Sequence, residues 1–505
     1  MEDSPPDSLD PADWRGLREQ GHRMLDDMFD YLEGIRARPV WQPIPPELRA
    51  AWAAPLPRAP MSVEAAHARF MAEVLPHAVG NVHPRFMGWV QGGGTPVGML
   101  AEMLAAGLNA NVGGRDQMPL EVEKQVVGWM RELFGFPATA GGLFVTGSSM
   151  ANFIGLLVAR TRALGANARR HGLADDGARL VAYAATSAHG CIARALDMAG
   201  LGTDALHRVP VDAEHRIDLA ALAQMIATDR AAGLQPFFVA GTAGTVDVGA
   251  IDDLAALADL AARERLWFHV DGAFGALGML APEIAPRLAG IERADSIALD
   301  FHKWGQVPYD AGFILVRDQA DQLAAFAAPA AYLARDSRGL AAGSPWPCDL
   351  GPDLSRGFRA LKTWFTFVTL GTDRIGAAIS QTCALARQLK ARVEAEPALE
   401  LLAPVALNIV CFRHRGASAP GHASGGRAHG RRASDREALD RLNADIVADL
   451  HEAGIAVPST TVIDGRLAIR AAIVNHRTNA SDIDALVDAV LMLGAARLSS
   501  DKTPP

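Results

Sequence analysis

Residues 294–318 read ADSIALDFHKWGQVPYDAGFILVRD. A β-type run, Ser296–Leu299, reaches an acid at Asp300, and His302, Lys303 and Trp304 follow at once. Pro308 marks a turn, and Gly312–Val316 is a second β-type run. A lysine just beyond the carboxyl end of a strand faces the crevice where α/β sheets bind ligands, not the solvated flank. Phe301 and Trp304 stand on either side of it. The amine is therefore expected to be partly desolvated, which lowers its pKa and frees its lone pair to attack a carbonyl.

Working outward, the same alternation extends over much of the chain. Short β-type runs at Leu143–Thr146, Leu180–Ala184, Phe237–Ala240 and Trp267–Val270 are separated by amphipathic stretches. Residues 251–265, IDDLAALADLAARER, predict a helix with Asp252 and Asp253 where the helix dipole favours acids. Strand–helix–strand alternation predicts a mainly parallel sheet covered on both faces. This large domain is placed at residues 81–375. Before it, residues 1–80 predict an arm: a helix over Trp14–Arg36, then an extended segment broken by Pro39, Pro43, Pro45, Pro46, Pro55, Pro57 and Pro60. Such an arm has too little apolar surface to fold alone and is expected to wrap a partner subunit. Residues 376–505 predict a small domain, with strands at Asn408–Phe412 and Arg466–Ala471 and helices at Arg441–Ala453 and Ser481–Leu493. A Gly-, His- and Arg-rich stretch at 413–436 reads as a mobile surface insertion.

Composition sets the class. The chain has 505 residues, half of them hydrophobic, and a net charge of −9. That is a globular profile, and the acidic balance disfavours nucleic acid and anionic membranes as partners. Four cysteines stand without a Cys-x-x-Cys pair, which fits a reducing compartment and gives no thiolate metal site. The first residues lack a basic and apolar leader pattern, and no apolar run is long enough to span a bilayer. The expected location is the cytoplasm.

Three more segments carry chemistry. In LWFHVDGAFGA (266–276), Asp271 ends a largely apolar strand. A carboxylate there needs a cationic partner, and a protonated pyridine nitrogen would serve; a structural turn cap is the plainer alternative. In LFVTGSSMANFIGLLVAR (143–160), Ser148 and Ser149 begin a helix, where backbone N–H groups and hydroxyls could hold a phosphate, or could simply cap the helix. The same residues nearly match the Gly-x-Ser-x-Gly nucleophile elbow. An α/β serine hydrolase using Ser149, with Asp271 and His302, is therefore a rival, but it leaves Lys303 without a role. In LVAYAATSAHGCIARALDMAG (180–200), His189 follows a strand and could stack over a flat ring.

Taken in order, HPRFMGW (83–89), TGSSMAN (146–152), AHGCIARA (188–195), HVDGAF (269–274), DFHKW (300–304), AAYLARD (330–336), LSRGFRALKTWF (354–365) and IRAAIVNHRT (469–478) resemble the group II pyridoxal-phosphate-dependent amino-acid decarboxylases. The resemblance is to the aromatic-L-amino-acid and tyrosine decarboxylases in particular. It implies an α/β, fold-type-I transferase-like large domain with a mainly parallel seven-stranded sheet, a small C-terminal α+β domain, an N-terminal helical arm and a homodimer with shared active sites. It implies pyridoxal 5'-phosphate as cofactor. Lys303 then resembles the Schiff-base lysine, Asp271 the partner of the ring nitrogen and Ala273 the small residue under the ring. His189 resembles the stacking histidine, Ser148 and Ser149 phosphate ligands, and His302 the neighbour of the lysine. Tyr332 resembles the mobile-loop tyrosine that would protonate Cα.

Several positions depart from the family pattern. Asp300 would repel a phosphate unless it points away, so it is not assigned as a phosphate ligand. Val246 stands where a hydroxyl residue is common, leaving Thr242 or Thr245 to contact the cofactor. The substrate pocket is expected to include Trp89, Asn111 and Ser355; Ser355 hints at phenolic substrates, whereas polar NANVGGRDQMP (109–119) and the glycine run Gly92–Gly94 do not. The expected activity is decarboxylation of an L-amino acid, aromatic by preference, to the amine. An aldehyde synthase or another carbon–carbon lyase on the same cofactor is the alternative, and a binding protein that keeps only the fold is opposed by Lys303, Asp271 and His189 together.

Overall fold

The structure, a computed structural model, describes residues 8–165, 167–173, 179–327, 336–416 and 428–500. Tyr332 lies outside the described residues. Twelve strands are present among those described: β1 (Phe86–Met87), β2 (Gly141–Val145), β3 (Leu180–Ala185), β4 (Leu206–Val209), β5 (Gln235–Thr242), β6 (Trp267–Asp271), β7 (Ser296–Asp300), β8 (Gly312–Val316), β9 (Leu399–Leu401), β10 (Ile409–His414), β11 (Val457–Ile463) and β12 (Arg466–Ala472).

Seven of them form one sheet in the order β2-β8-β7-β6-β5-β3-β4. Every residue of β2, β3, β6, β7 and β8 is buried, as a sheet covered on both faces requires. All neighbours pair in parallel except at β8, which runs opposite to β2 and β7. The cause lies in residues 301–311. That connection is too short for a crossover helix, so the chain must return antiparallel. The sheet thereby gains a tight return bearing Lys303, while its parallel strands β6 and β7 end side by side at Asp271 and Asp300. Strand β4 was not foreseen; its four residues, LHRV, carry too little apolar pattern to announce a strand.

The helix Ser148–Leu164 covers one face, burying Ala151, Asn152, Ile154, Gly155, Leu156, Val158 and Ala159. Opposite, the helix Leu254–Glu264 is capped by Asp253, which accepts from the Ala256 N–H. Asp252 does not join it at the dipole. It turns into the core and accepts from the N–H groups of Ile217 and Thr242, and burial pushes its carboxyl up to about 6.

The second sheet has the order β1-β11-β12-β10-β9. The helices Thr372–Ala395, Ala428–Glu452 and Ala480–Ser500 accompany it. Its edge strand β1 comes from Phe86 and Met87, far upstream, pairing with Val457 and Pro458. The insertion expected at 413–436 is narrower than the composition suggested. Strand β10 runs on through Arg413 and His414, and a helix begins at Ala428. Arg413 is held by the Glu400 carboxylate at 2.7 Å, a cross-strand pairing that composition does not reveal.

At the other end, the helix Trp14–Glu33 buries only Gln20 and Tyr31. Trp14, Leu17, Met24 and Phe29 stay exposed, so its apolar side is not fully covered among the described residues.

Candidate active site

The carboxyl ends of the parallel strands bring the predicted residues together. Asp271 closes β6 and Asp300 closes β7, with Lys303 one turn on. Lys303 Nζ lies 2.9 Å from Asp300 Oδ2, with a fifth of the lysine side chain exposed and almost none of the aspartate. Burial pushes the amine down, but the Asp300 carboxylate, then Asp271, more than reverse this, so the net shift is upward. This corrects the expectation of a lowered lysine: aromatic neighbours do desolvate it, but a charge in direct contact outweighs them.

Asp300 is engaged twice more. It accepts from Ser148 N at 2.6 Å and from Ser148 Oγ at 2.8 Å. Burial opposes its ionisation, yet Lys303, His302 and these donors hold its carboxyl below the usual range. The carboxylate therefore occupies the start of the helix Ser148–Leu164, where an anion is favoured. Ser148, expected to be free for a phosphate, is here bonded to Asp300 instead. Ser149, the next residue, is exposed.

Asp271 is buried at 4% exposure, and burial pushes its carboxyl up despite Lys303, the Ala273 N–H and His189. Oδ1 accepts from Ala273 N at 3.2 Å, and Oδ2 faces the Cys191 thiol at 3.8 Å. A carboxylate so buried and so thinly compensated is matched to a cationic donor. His189, exposed after β3, accepts from Cys191 N through Nδ1 at 3.2 Å. His302 accepts from Ala311 N through Nδ1 at 3.0 Å and faces Asp300 with Nε2 at 3.6 Å, while its ring meets Tyr309. Both of its nitrogens are thus directed away from a Ser149–His302–Asp271 arrangement. Among the described contacts no hydrogen bond links those three.

Thr245 is buried inside its own turn, where its hydroxyl oxygen accepts from Ala250 N at 3.0 Å. In the glycine run Gly92–Gly94, Gly92 and Gly93 prove to be packing requirements. Gly92 N donates to His302 O, and a Cβ on Gly92 would meet the carbonyl oxygens of His302 and Lys303. Trp89 is 54% exposed at φ 49°, and its carbonyl is tied by Arg470, which also bonds the carbonyls of Val246 and Asp247. Asn111 and Ser355 lie on neighbouring loops: Asn111 Oδ1 accepts from Gly113 N and Arg356 N. Among the described contacts neither is bonded to Lys303, Asp271 or Asp300.

The family described as "Pyridoxal-dependent decarboxylase conserved domain" matches residues 48–415. The chain belongs to this family. It is a pyridoxal-phosphate-dependent carboxy-lyase of the group II amino-acid decarboxylases, and the serine-hydrolase alternative falls. An aromatic-L-amino-acid decarboxylase of Bacillus atrophaeus is 31% identical over 474 residues, covering 92% of this chain and 93% of that protein. An L-2,4-diaminobutyrate decarboxylase of Rhizobium meliloti is 32% identical over 438 residues, covering 86% and 83%. In structure, the Oryza sativa TDC with PLP and tryptamine superposes with a TM-score of 0.86 at 24% identity, covering 97% of this chain and all of that one, which fixes the fold as type I.

The residues of this decarboxylase fit the cofactor. The Lys303 amine, able to capture an aldehyde once it gives up its proton, and the thinly compensated Asp271 carboxylate stand at adjoining strand ends. Ala273, in the turn after β6, carries only a methyl group. Residues that sequence reasoning passed over include Cys191 against Asp271 and Asp300 against the lysine. The first was visible only as a cysteine in AHGCIARA, and the second was set aside on charge grounds.

Proposed function

We propose that this enzyme removes the α-carboxylate of an aromatic L-amino acid as carbon dioxide and releases the amine. The observation that carries the reading is the placement of Lys303 and Asp271 at the ends of the paired strands β7 and β6, each influencing the other's charge. When bound, the cofactor supplies an electron sink for the bond that breaks. Lys303 would hold its aldehyde carbon, Asp271 its ring nitrogen and Ala273 the space beneath the ring. His189 would lie over the ring and meet the substrate carboxylate. Ser149 would hold the phosphate side, and Ser148 would join it if Asp300 turned away; Thr245 would contact the cofactor hydroxyl, and His302 would support the turn that carries the lysine. Tyr332, outside the described residues, would deliver the proton to Cα.

Trp89, exposed beside the turn that Arg470 clamps, supports an aromatic side chain in the substrate. Exposed Trp14, Met24 and Phe29 on the first helix, with Met24 and exposed Met103 lining one apolar pocket, support a homodimer. In that dimer Asn111 and Ser355 would serve the neighbouring site. Cys191, Cys383 and Cys411 form no disulfide, and among the described residues no helix is long and apolar enough to cross a membrane, which agrees with a cytoplasmic enzyme.

The test is a purified sample with pyridoxal phosphate. Its visible absorption band should vanish on borohydride reduction, and mass spectrometry should place the adduct on Lys303. A screen of amino acids for carbon dioxide release then assigns the side chain. Release from 2,4-diaminobutyrate and not from tyrosine or tryptophan would overturn the aromatic assignment, and aldehyde in place of amine would overturn simple decarboxylation.

A further inference from the structure

Behind Asp271 runs a string of side chains that the reading above leaves without a role. Trp267 Nε1 donates to Ser296 Oγ at 2.8 Å, and Ser296 Oγ lies 2.7 Å from His269 Nδ1. His269 Nε2 lies 2.6 Å from Asn152 Oδ1, and Asn152 Nδ2 donates to Cys191 Sγ at 3.2 Å. Cys191 Sγ is 3.8 Å from Asp271 Oδ2.

The direction of every bond follows from the two ends. An indole N–H only donates, and a carboxylate only accepts. From the carboxylate end, the Cys191 thiol gives its proton to Asp271, so the sulfur accepts from the Asn152 NH₂, the Asn152 carbonyl accepts from His269 Nε2, and the bare Nδ1 takes the O–H of Ser296, whose oxygen accepts from Trp267. Each member of the string is at most 6% exposed. A buried polar string is stable only when every link is filled, and here every link is.

A second observation comes from packing. Gly155 lies in the same helix as Asn152, and a Cβ there would stand 3.0 Å from His269 Nδ1 and 3.2 Å from Ser296 Oγ. On another side Phe238 stacks on the His269 ring, with centroids 5.5 Å apart. The imidazole is thus held between a glycine that makes room for it and an aromatic ring. Burial keeps it neutral, pushing its pKa down to about 3, as the assigned tautomer requires.

We propose that the string Trp267–Ser296–His269–Asn152–Cys191 holds Asp271 charged and aimed at the cofactor's ring nitrogen, making these five side chains positioning residues of the enzyme. The inference rests on Asp271 being the ring-nitrogen partner. Thiols are weak donors, so the contribution of Cys191 lies in orientation as much as in strength.

The experiment uses holoenzyme loaded with pyridoxal phosphate labelled with ¹⁵N in the ring. It reads the ¹⁵N chemical shift and the rate of cofactor loss. Cys191→Ala and His269→Phe should move the resonance toward that of an unprotonated ring and speed cofactor loss about three- to ten-fold, the size of one lost hydrogen bond. Cys191→Ser and His269→Gln, which keep a donor in the same direction, should restore both. Cys191→Ala removes only a sulfur, so the test survives if His269→Phe fails to fold. Asp271→Asn is the control. If it leaves the resonance unmoved, the ring-nitrogen assignment itself fails. If it moves the resonance while Cys191→Ala and His269→Phe match the parent, the string has no such role. A loss that serine and glutamine do not restore marks packing alone and also overturns the proposal.

Discussion

The Asp300 carboxylate joins Lys303 to Ser148: one oxygen lies 2.9 Å from the lysine Nζ and 2.8 Å from the serine Oγ. Lys303 and the start of the helix Ser148–Leu164 are thereby tied through one buried anion. The pairing favours the ammonium, whereas capture of an aldehyde needs the neutral amine.

Asp300→Asn should therefore change when the lysine reacts. Burial, no longer opposed by a full charge at contact distance, then lowers the amine. The midpoint of cofactor capture by apoenzyme, followed as growth of the visible band against pH, should move to lower pH by about one unit or more. An unmoved midpoint would show that Asp300 does not set the lysine's charge.

Tyr332→Phe addresses the proton. The variant should bind cofactor like the parent, because nothing assigned to cofactor binding changes. Amine formation should fall by about 10²- to 10⁴-fold, the usual contribution of a positioned acid. Amine measured beside carbon dioxide decides it, and undiminished amine turnover removes Tyr332 from the chemistry.

What the sequence disclosed was whatever rests on local pattern. Ser296–Leu299 announces a strand as a short apolar run and Gly312–Val316 by its Phe313, Ile314 and Val316, and Lys303 announces itself by following the first. The reversal of β8 depends on the length of 301–311, and β4 on only four residues, so neither stands out in a periodicity. Electrostatics were less legible still. Asp252 reads as a helix-dipole acid until the backbone amides of Ile217 and Thr242 are found around it. The sign of the Lys303 shift turns on a side-chain rotamer of Asp300. The string behind Asp271 joins residues from 152 to 296, a separation no motif spans.

Gly155→Ala tests the fit around His269. In an open helix position the change stabilises, by about 1 kcal/mol, since alanine is the better helix former. Gly128, in the helix Met118–Leu133, is such a position, with only Arg131 near its missing Cβ, and Gly128→Ala should raise the unfolding midpoint. At Gly155 the new methyl meets His269 and Ser296, both fully buried and hydrogen-bonded. Overpacking of this kind costs roughly 1–3 kcal/mol, which outweighs the helical gain. Thermal unfolding of the two variants should thus shift in opposite directions. A stabilised Gly155→Ala would mean that the ring gives way freely.

His269 also sets a pH dependence of stability. Its folded pKa is pushed down to about 3 by burial, against about 6.5 for an unfolded histidine. Between those values the unfolded chain binds a proton that the folded chain refuses, so stability rises with pH through that window and is lost as pH falls. The loss from this one group approaches about 1.4 kcal/mol per pH unit well below pH 6.5. His269→Gln has no proton to take up and preserves both hydrogen-bond directions. Urea midpoints measured at pH 7 and pH 5 should therefore separate less in His269→Gln than in the parent. An equal separation would mean that the imidazole accepts its proton without unfolding, and that the neutral tautomer linking Ser296 to Asn152 is not enforced.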